Sequence, residues 1–276
     1  MIRIVTDSGC DLPARIFDDL SVELVPLTVS FGDDSYLDRR DLTVEEFWQK
    51  LTTGTVVPQT AAPSVGQFTE VFQSLESSGA SGIVVLCMSA AISATHQSAT
   101  LAAASYPGVP VSVVDSRLVS GALGLVVMEA AEKARTGAGL SEVVETATEA
   151  CAATSLYATL DTLEYLRRGG RIGGAAAFVG GLLDVKPIIT FEGGEVTAAG
   201  RVRTRKRAVA DVLDHLRSVS DRARRVGVIH SDAPEVDEVA AEIATIHGTQ
   251  PLVIRVGPIV GTHAGPGVIG VTYRLG

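Results

Sequence analysis

The sequence contains no asparagine, few aromatic residues and three cysteines among its 276 residues. Without asparagine the chain has no N-glycosylation sequon and no Asn-Gly hairpin turn, so its tight turns must depend on its 28 glycines. Cys10, Cys87 and Cys151 are far apart and form no CxxC pair, which argues against a zinc site or a disulfide framework. We interpret them as buried thiols in a reducing cytoplasm.

Positive charge is also scarce, because the chain has 23 Lys and Arg residues and 32 Asp and Glu residues, which gives a formal net charge of −9. Nucleic-acid binding needs a broad basic face that neutralises phosphates, so we expect no nucleic-acid partner. No uncharged apolar stretch reaches the ~18 residues of a membrane span. Met1–Asp7 has neither the basic nor the long apolar region of a secretory signal. These features predict a soluble, cytoplasmic protein.

Motifs for cofactors and metals are missing as well. The chain has no GxxxxGK[ST] P-loop, no GxGxxG after a strand and no HExxH, and its five histidines are scattered. We therefore predict no cofactor and no metal site. Its apolar content of 46% is ample for one large or two ordinary domains.

The stretch Ile83–Ala99 has the pattern of a strand, a turn and a helix start. Five apolar residues are followed by small polar residues and then by an alanine-rich run. A strand, a polar turn and a helix recur after Ile2–Val5 and after Val109–Val114. This repetition predicts an α/β fold, with a doubly wound, mostly parallel sheet in an N-terminal domain of residues 1–156.

The second half has a different pattern. Residues 187–202 are typical of an antiparallel hairpin that turns at Gly193-Gly194. We predict a C-terminal α+β domain of residues 157–276 with a largely antiparallel sheet, and a boundary between Cys151 and Leu160. Because two cores would account for the apolar content, we expect a monomer.

Local signals place the elements that precede the central βα unit. Val22–Phe31 is predicted as one strand, and 58–63 as an irregular loop held by its prolines. Thr43 with Glu46, and Ser64 with Gln67, have the spacing of helix capping boxes.

Ser93 and Thr95 follow the apolar strand of the central βα unit. Their hydroxyls and the free N–H groups of the helix start would meet where a parallel strand ends, which is a usual place for an anionic ligand. We predict a carboxylate site at this turn. An equally weighted alternative is that Ser93 only caps the helix, and Thr60 is by the same argument an ordinary turn residue.

His263 lies in Gly261–Gly267, where three further residues are glycine and one is proline. Such a loop has a tightly specified backbone, and its histidine is expected to point into a cleft. The alternative is that His263 has only a structural, hydrogen-bonding role. A serine hydrolase would use Ser93 as nucleophile, His263 as base and Asp7 or Asp115 as orienter, but no GxSxG elbow is present.

Eight cations lie in two groups, Arg167–Arg171 and Arg201–Arg207, and all but one of them are arginines. They would form a local patch suited to phosphate groups or an acidic partner. The alternative is a solvated face balanced by neighbouring carboxylates. An interaction protein that uses this patch and keeps an empty cleft is therefore a further hypothesis.

Several stretches together resemble the DegV family of FakB-like fatty-acid-binding carriers, over nearly the whole chain. The similar stretches are Thr6-Asp7-Ser8, Asp11-Leu12-Pro13, Pro26-Leu27, Thr60–Ser64, Ser93-Ala94-Thr95, Val114-Asp115-Ser116, Leu166–Gly173, Arg203-Thr204 and Gly261–Gly267. Their ordered set is far more specific than any one of them.

The resemblance implies a lipid-binding carrier that is not an enzyme and encloses one long-chain fatty acid between two domains. It assigns the fatty-acid carboxylate to Thr60 and Ser93, with His263 nearby. Thr95, from the polar turn described above, completes the predicted ligand-binding set. It also implies that the carboxyl group is presented to a separate ATP-dependent fatty acid kinase, which makes an acyl phosphate for phospholipid synthesis. Arg171 and Arg203 are similar to the arginines that dock this kinase.

The sequence departs from the family pattern at three alanines. Ala61 and Ala62 replace a serine and a glutamine, and Ala94 replaces a glycine. These changes remove polar groups and add a Cβ beside the expected head-group site. A different small amphipathic carboxylate is therefore kept as an alternative ligand.

Overall fold

The computed structural model of the chain describes residues 1–178 and 185–276. The Ala-, Gly- and Val-rich run Gly173–Leu183, whose composition predicts either a narrow tunnel wall or tight helix packing, lies partly outside the described residues. In chain order, the elements are β1 (Ile2–Asp7), α1 (Ala14–Leu20), β2 (Glu23–Val25), β3 (Thr28–Phe31), β4 (Asp34–Leu37), α2 (Val44–Thr53), β5 (Gln59–Ala61), α3 (Val65–Ser77), β6 (Gly82–Cys87), α4 (Thr95–Ser105), β7 (Val111–Asp115), α5 (Ser120–Arg135), α6 (Leu140–Ala153), β8 (Thr154–Thr159), α7 (Glu164–Arg168), a 3₁₀ segment (Gly173–Phe178), β9 (Lys186–Glu192), β10 (Glu195–Val202), α8 (Arg205–Val219), β11 (Ala223–His230), α9 (Val236–His247), β12 (Leu252–Arg255), α10 (Pro258–Ala264) and β13 (Ile269–Leu275).

The N-terminal sheet has the strand order β2-β1-β6-β7, and all of its pairings are parallel. Its strands are apolar on both faces. Val84 and Leu86 belong to the core that includes α5 and α6, whereas Val85 packs in a separate core with Phe68 and Phe72 of α3. Helices therefore cover both faces, which confirms the predicted doubly wound sheet.

A small antiparallel sheet, β4-β3-β5, was missed by the sequence analysis. The prediction of one strand over Val22–Phe31 is wrong, because the chain breaks at Pro26 and Leu27 and its two parts join different sheets. The prediction of an irregular loop over 58–63 is also wrong in part. Gln59–Ala61 forms β5, in which Thr60 pairs with Val29.

The C-terminal sheet has the order β10-β9-β8-β13-β11-β12. Its neighbours pair antiparallel except β11 and β12, so the predicted largely antiparallel sheet is confirmed. The β9–β10 hairpin turns at Gly193 and Gly194, as expected. All of β8 pairs in this sheet, and the predicted boundary between residues 156 and 157 falls inside that strand. The division into two domains stays a prediction.

Both capping boxes are present as the sequence predicts. The Thr43 hydroxyl accepts from the Glu46 N–H, and the Ser64 hydroxyl accepts from the Gln67 N–H. In the part of the chain that the structure describes, no helix combines the length and the apolar composition that crossing a membrane requires.

Candidate ligand-binding site

A cavity lies between the parallel sheet and the C-terminal sheet. It leaves about 160 Å³ accessible to the centre of a water molecule, within about 980 Å³ that protein atoms do not fill, including the part open to solvent. This is room for roughly ten water-sized groups. The apolar residues lining it are Leu27, Ala62, Met88, Ile92, Ala94, Val119, Leu156, Ala158, Leu160, Leu166, Ile189, Phe191, Val196, Ile229, Val256, Ile259, Val260, Ala264 and Val268.

Polar lining residues are few among those described, namely Thr60, Ser93, Ser120, Arg171 and His263. Three of the four predicted carboxylate-binding residues are thus in the cavity wall, although they come from β5, from the turn before α4 and from α10. An apolar cavity with a few convergent polar groups is the usual form of a small-molecule site.

Thr60 and His263 contact each other directly. The distance from Thr60 Oγ1 to His263 Nε2 is 2.9 Å. His263 is in the last turn of α10, so our prediction of a loop histidine is wrong, although the prediction that it faces a cleft is right. The helix ends at Gly265, whose φ of 73° is a backbone conformation that favours glycine.

His263 is neutral near pH 7, because burial, followed by the nearby charge of Arg171, lowers its pKa from 6.5 to about 4. Its Nδ1 is buried and has no hydrogen-bond partner within the described ranges. A buried N–H without an acceptor is more costly than an unpaired acceptor. We infer that the proton is on Nε2, which donates to the Thr60 hydroxyl and leaves the Thr60 proton free to donate into the cavity.

Ser93 and Thr95 form a second hydroxyl pair, with 2.8 Å between their oxygens. Thr95 is fully buried and does not line the cavity, whereas Ser93 does. The alternative that Ser93 caps helix α4 is confirmed in part: Ala94 occupies the N-cap position without a side-chain cap, but the Ser93 hydroxyl accepts from the Thr95 N–H at 3.3 Å.

Arg171 lines the cavity beside these groups. Its Nε donates to the carbonyl of Ile92 at 3.2 Å and its Nη1 donates to the carbonyl of Gly169 at 2.6 Å. Arg203, in contrast, is exposed on the segment between β10 and α8 and is not among the residues that line the cavity. The two arginines that we predicted as one docking set therefore have different environments.

The other arginines of the predicted patch support in part the alternative of a solvated, balanced face. Arg167 and Arg168 both bind Glu164, and Arg205 binds Asp161 and Glu235.

The hydrolase arrangement is not assembled. The Ser93 hydroxyl is bonded to Thr95, and no carboxylate reaches His263 Nδ1 among the described residues. Asp7 accepts instead from the backbone N–H groups of Gly9 and Met88, and Asp115 accepts from those of Ala90 and Arg117.

The buried carboxylate of Asp11 lies next to Ser120, which lines the cavity, and the sequence did not predict its contacts. Asp11 accepts from the Ser120 hydroxyl at 2.6 Å and from the Gly257 N–H at 3.0 Å, and Arg39 is 3.8 Å from it. Burial raises the pKa of Asp11 to about 6. The nearest signal in the sequence was the polar run after β1, but the hydrogen-bond partners of Asp11, Ser120 and Gly257, are more than a hundred residues away. Across the described residues, no group of three or more His, Cys, Asp or Glu side chains could hold a metal ion.

Comparisons with known proteins agree with this architecture. A family model described as "Uncharacterised protein, DegV family" matches residues 1–275. A DegV domain-containing protein of Streptomyces coelicolor is 38% identical, over 98% of this chain and 97% of its own.

Two solved structures are similar in fold. One is a DegV family protein from Thermus thermophilus described by its fatty-acid binding, with a TM-score of 0.89 and 34% identity over 99% of both chains. The other is a stearic-acid-binding protein from Eubacterium ventriosum, with a TM-score of 0.89 and 27% identity over 99% of this chain and 98% of that one. Because the family model and the relatives cover almost the whole sequence, the chain belongs to the DegV family.

Proposed function

We propose that this protein is a carrier that encloses one long-chain fatty acid, with its carboxylate at Thr60 and Ser93 and its acyl chain in the apolar cavity. The observation that carries the proposal is the cavity itself, which is apolar except for a few hydroxyl, imidazole and guanidinium groups. The fatty-acid binding described for the Thermus and Eubacterium proteins supports it.

The division between an apolar wall and a polar cluster suits an amphipathic acid. Each buried CH₂ contributes roughly 0.8 kcal/mol, so the acyl chain provides most of the affinity before ordering costs are subtracted. The carboxylate then needs donors that replace its water. The Thr60 hydroxyl, oriented by His263, and the Ser93 hydroxyl supply uncharged donors, and Arg171 supplies a cation close to them.

The second part of the proposal concerns what happens to the bound acid. We propose that the carboxylate is presented to a separate ATP-dependent fatty acid kinase, which forms an acyl phosphate for phospholipid synthesis. Arg203 supports a docking role, because its side chain is exposed and has no ion-pair partner in the described part of the chain. The protein itself supplies binding and orientation.

Native mass spectrometry of the protein purified from a bacterial host tests the carrier proposal. We expect a mass increment equal to one fatty acid, which is lost on delipidation and restored by adding stearate. A competing fluorescent fatty acid should be displaced with simple one-site behaviour. The proposal fails if no fatty acid copurifies and none binds to the delipidated protein.

Charge reversal at Arg203 tests the kinase step separately. Arg203→Glu should bind fatty acid like the parent, while formation of acyl phosphate with the cognate kinase and ATP falls at least about tenfold. Lys206→Glu, which reverses a neighbouring exposed cation on α8, is the matched control. Equal acyl-phosphate formation by parent and Arg203→Glu would refute the docking role and leave the carrier proposal standing.

A further inference from the structure

Ser120 lies apart from the other polar residues described in the cavity wall. Thr60 contacts His263, and Arg171 lies close to His263 and binds the carbonyl that precedes Ser93, so these four form one polar group. Ser120 instead begins helix α5, and its side chain is almost completely buried. The cavity therefore has a second polar position in addition to the head-group site.

Helix α10 runs along the cavity and connects the two polar positions. Ile259 and His263 of this helix both line the cavity, and His263 is in its last turn. At the other end, the Gly257 N–H donates to Asp11 at 3.0 Å, and the same carboxylate accepts from the Ser120 hydroxyl at 2.6 Å. A rise of 1.5 Å per residue separates the two positions by roughly 9 Å along the helix. Ser120 therefore faces the acyl chain and not the carboxylate of a bound fatty acid.

The Ser120 hydroxyl has a committed proton and a free oxygen. Its distance of 2.6 Å to Asp11 is typical of a hydroxyl that donates to an ionised carboxylate. Burial raises the pKa of Asp11 to about 6, so at pH 8 this carboxylate has no proton of its own to donate. Within residues 1–178 and 185–276, no N–H or O–H donates to the Ser120 oxygen. Because a hydroxyl oxygen can accept two hydrogen bonds, Ser120 offers the cavity an acceptor and no donor.

A serine is an unexpected residue at this place. Val119, which precedes it, lines the cavity, and Gly121, which follows it, packs against Ile229 of the same apolar wall. The φ of Ser120 is 54°, a backbone conformation that residues other than glycine rarely adopt. Glycine would fit the backbone better and would leave the wall apolar. A ligand that uses the hydroxyl explains why a serine is present.

We infer that the cavity binds fatty acids that carry a hydroxyl group in the middle of the acyl chain, and that Ser120 accepts a hydrogen bond from this hydroxyl. The inference rests on the proposed function and narrows its ligand class. Since Ser120 offers only an acceptor, a hydroxyl group is recognised, whereas a keto group, which has no proton, is not. An unsubstituted acid such as stearate still binds at the head-group site but leaves the Ser120 oxygen without a partner.

Displacement titrations of the delipidated protein at pH 8 test this inference. The ligands are stearate, stearates with one hydroxyl at successive positions along the middle of the chain, and the oxostearate that matches the best-bound hydroxystearate. The quantity compared is the Kd of stearate divided by the Kd of the substituted acid. For the parent we expect a ratio of about one or more for the best hydroxystearate, and a ratio about tenfold lower for the oxostearate.

Two substitutions remove the Ser120 hydroxyl. Ser120→Gly suits the φ of 54°, and Ser120→Ala keeps the Cβ. We expect both to lower the hydroxystearate ratio about tenfold, because the ligand hydroxyl is then buried without an acceptor. A ratio measured within each variant cancels general losses of folding or of head-group binding. Ser93→Ala is the control, since it removes a hydroxyl at the head-group site and should weaken all the acids alike, with an unchanged ratio.

The outcomes separate the inference from the function on which it rests. If every hydroxystearate binds to the parent at least tenfold more weakly than stearate, the inference is overturned and the carrier proposal stands. Ratios within twofold of the parent in both Ser120 variants overturn it as well. An oxostearate that binds as tightly as the hydroxystearate contradicts the role of Ser120 as an acceptor. If neither stearate nor any hydroxystearate binds, the proposed function and the inference fail together.

Discussion

His263 Nε2 lies 2.9 Å from Thr60 Oγ1, and this hydrogen bond joins two residues that are 203 positions apart in the sequence. The contact links β5 of the small sheet to α10 of the C-terminal half. It also determines which way the Thr60 proton points, because the buried Nδ1 of His263 has no acceptor within the described residues. His263 therefore acts as a positioning residue for the hydroxyl that we assign to the ligand.

The protonation of His263 can be measured directly by NMR. Burial lowers its pKa to about 4, so its ring signals should not titrate above about pH 5, and its nitrogen shifts should be those of the Nε2–H tautomer. A His263 titration midpoint near the ordinary value of 6.5 would contradict this assignment.

Gly169→Ala should displace the His263 ring. A Cβ at residue 169 would lie 2.0 Å from His263 Nδ1, although the backbone φ of −76° accepts alanine. We expect fatty-acid affinity to fall about tenfold or more as the Thr60 contact is lost. Gly66→Ala is the matched control, since its nearest contact at 3.7 Å is ordinary. Equal displacement curves for the two variants would show that the His263 position has no effect on binding.

The Thr60 hydroxyl can be removed with little change in shape. Thr60→Val should weaken fatty-acid binding roughly tenfold, because a hydrogen bond to a charged group is lost. Thr60→Ser keeps the hydroxyl and should bind within a few-fold of the parent. If the valine and serine variants bind equally well in the displacement titration, then the hydroxyl does not hold the carboxylate.

Asp38 should make stability depend on pH. It is buried, and burial raises its pKa to about 7 despite the nearby charge of Arg39. The Ser8 hydroxyl and the Arg39 N–H lie close to its carboxylate and lower the pKa slightly, but neither oxygen has a hydrogen bond of ordinary geometry in the described part of the chain. The folded state thus binds this proton more tightly than the unfolded state. Its stabilising contribution is complete below about pH 4 and is lost as the pH rises through 7.

Asp38→Asn should remove the loss of stability that ionisation of Asp38 causes as the pH rises. We expect its free energy of unfolding at pH 8 to exceed that of the parent by roughly 2–4 kcal/mol, and the difference to shrink toward pH 5. Denaturant titrations at several pH values measure it, with Asp33→Asn in the exposed β3–β4 turn as control. Burial also raises the pKa of Asp7 and Asp11, so the quantity compared is the difference between variant and parent at each pH, which includes the interaction of Asp38 with Asp11. A variant less stable than the parent at pH 8 would show that the ionised carboxylate stabilises Arg39.

The regular parts of the fold were predictable because local patterns determine them. The buried strand Gly82–Cys87 and the two capping boxes depend on apolar runs and on spacings of three residues. The break at Pro26 and Leu27 was missed because continuous β propensity hides a change of sheet, which depends on tertiary pairing. The strand Gln59–Ala61 was missed since Pro58 and Pro63 have the composition of a loop.

Three of the proposed site residues line the cavity and were named largely through the family resemblance, but their geometry could not be predicted. No spacing rule joins Thr60 to His263, or Asp11 to Ser120, because each pair comes from distant elements. Arg171 shows the same limit. Its sequence neighbours suggested an exposed patch, whereas the fold turns its guanidinium back onto the carbonyls of Ile92 and Gly169.

A crystal structure of the protein with bound stearate would test the central claim most directly. The account predicts the carboxylate within hydrogen-bond distance of Thr60 Oγ1 and Ser93 Oγ, and the chain along Leu156, Ile189 and the other apolar residues of the cavity. A stearate bound elsewhere, or one in the cavity with its carboxylate remote from both hydroxyls, would contradict it.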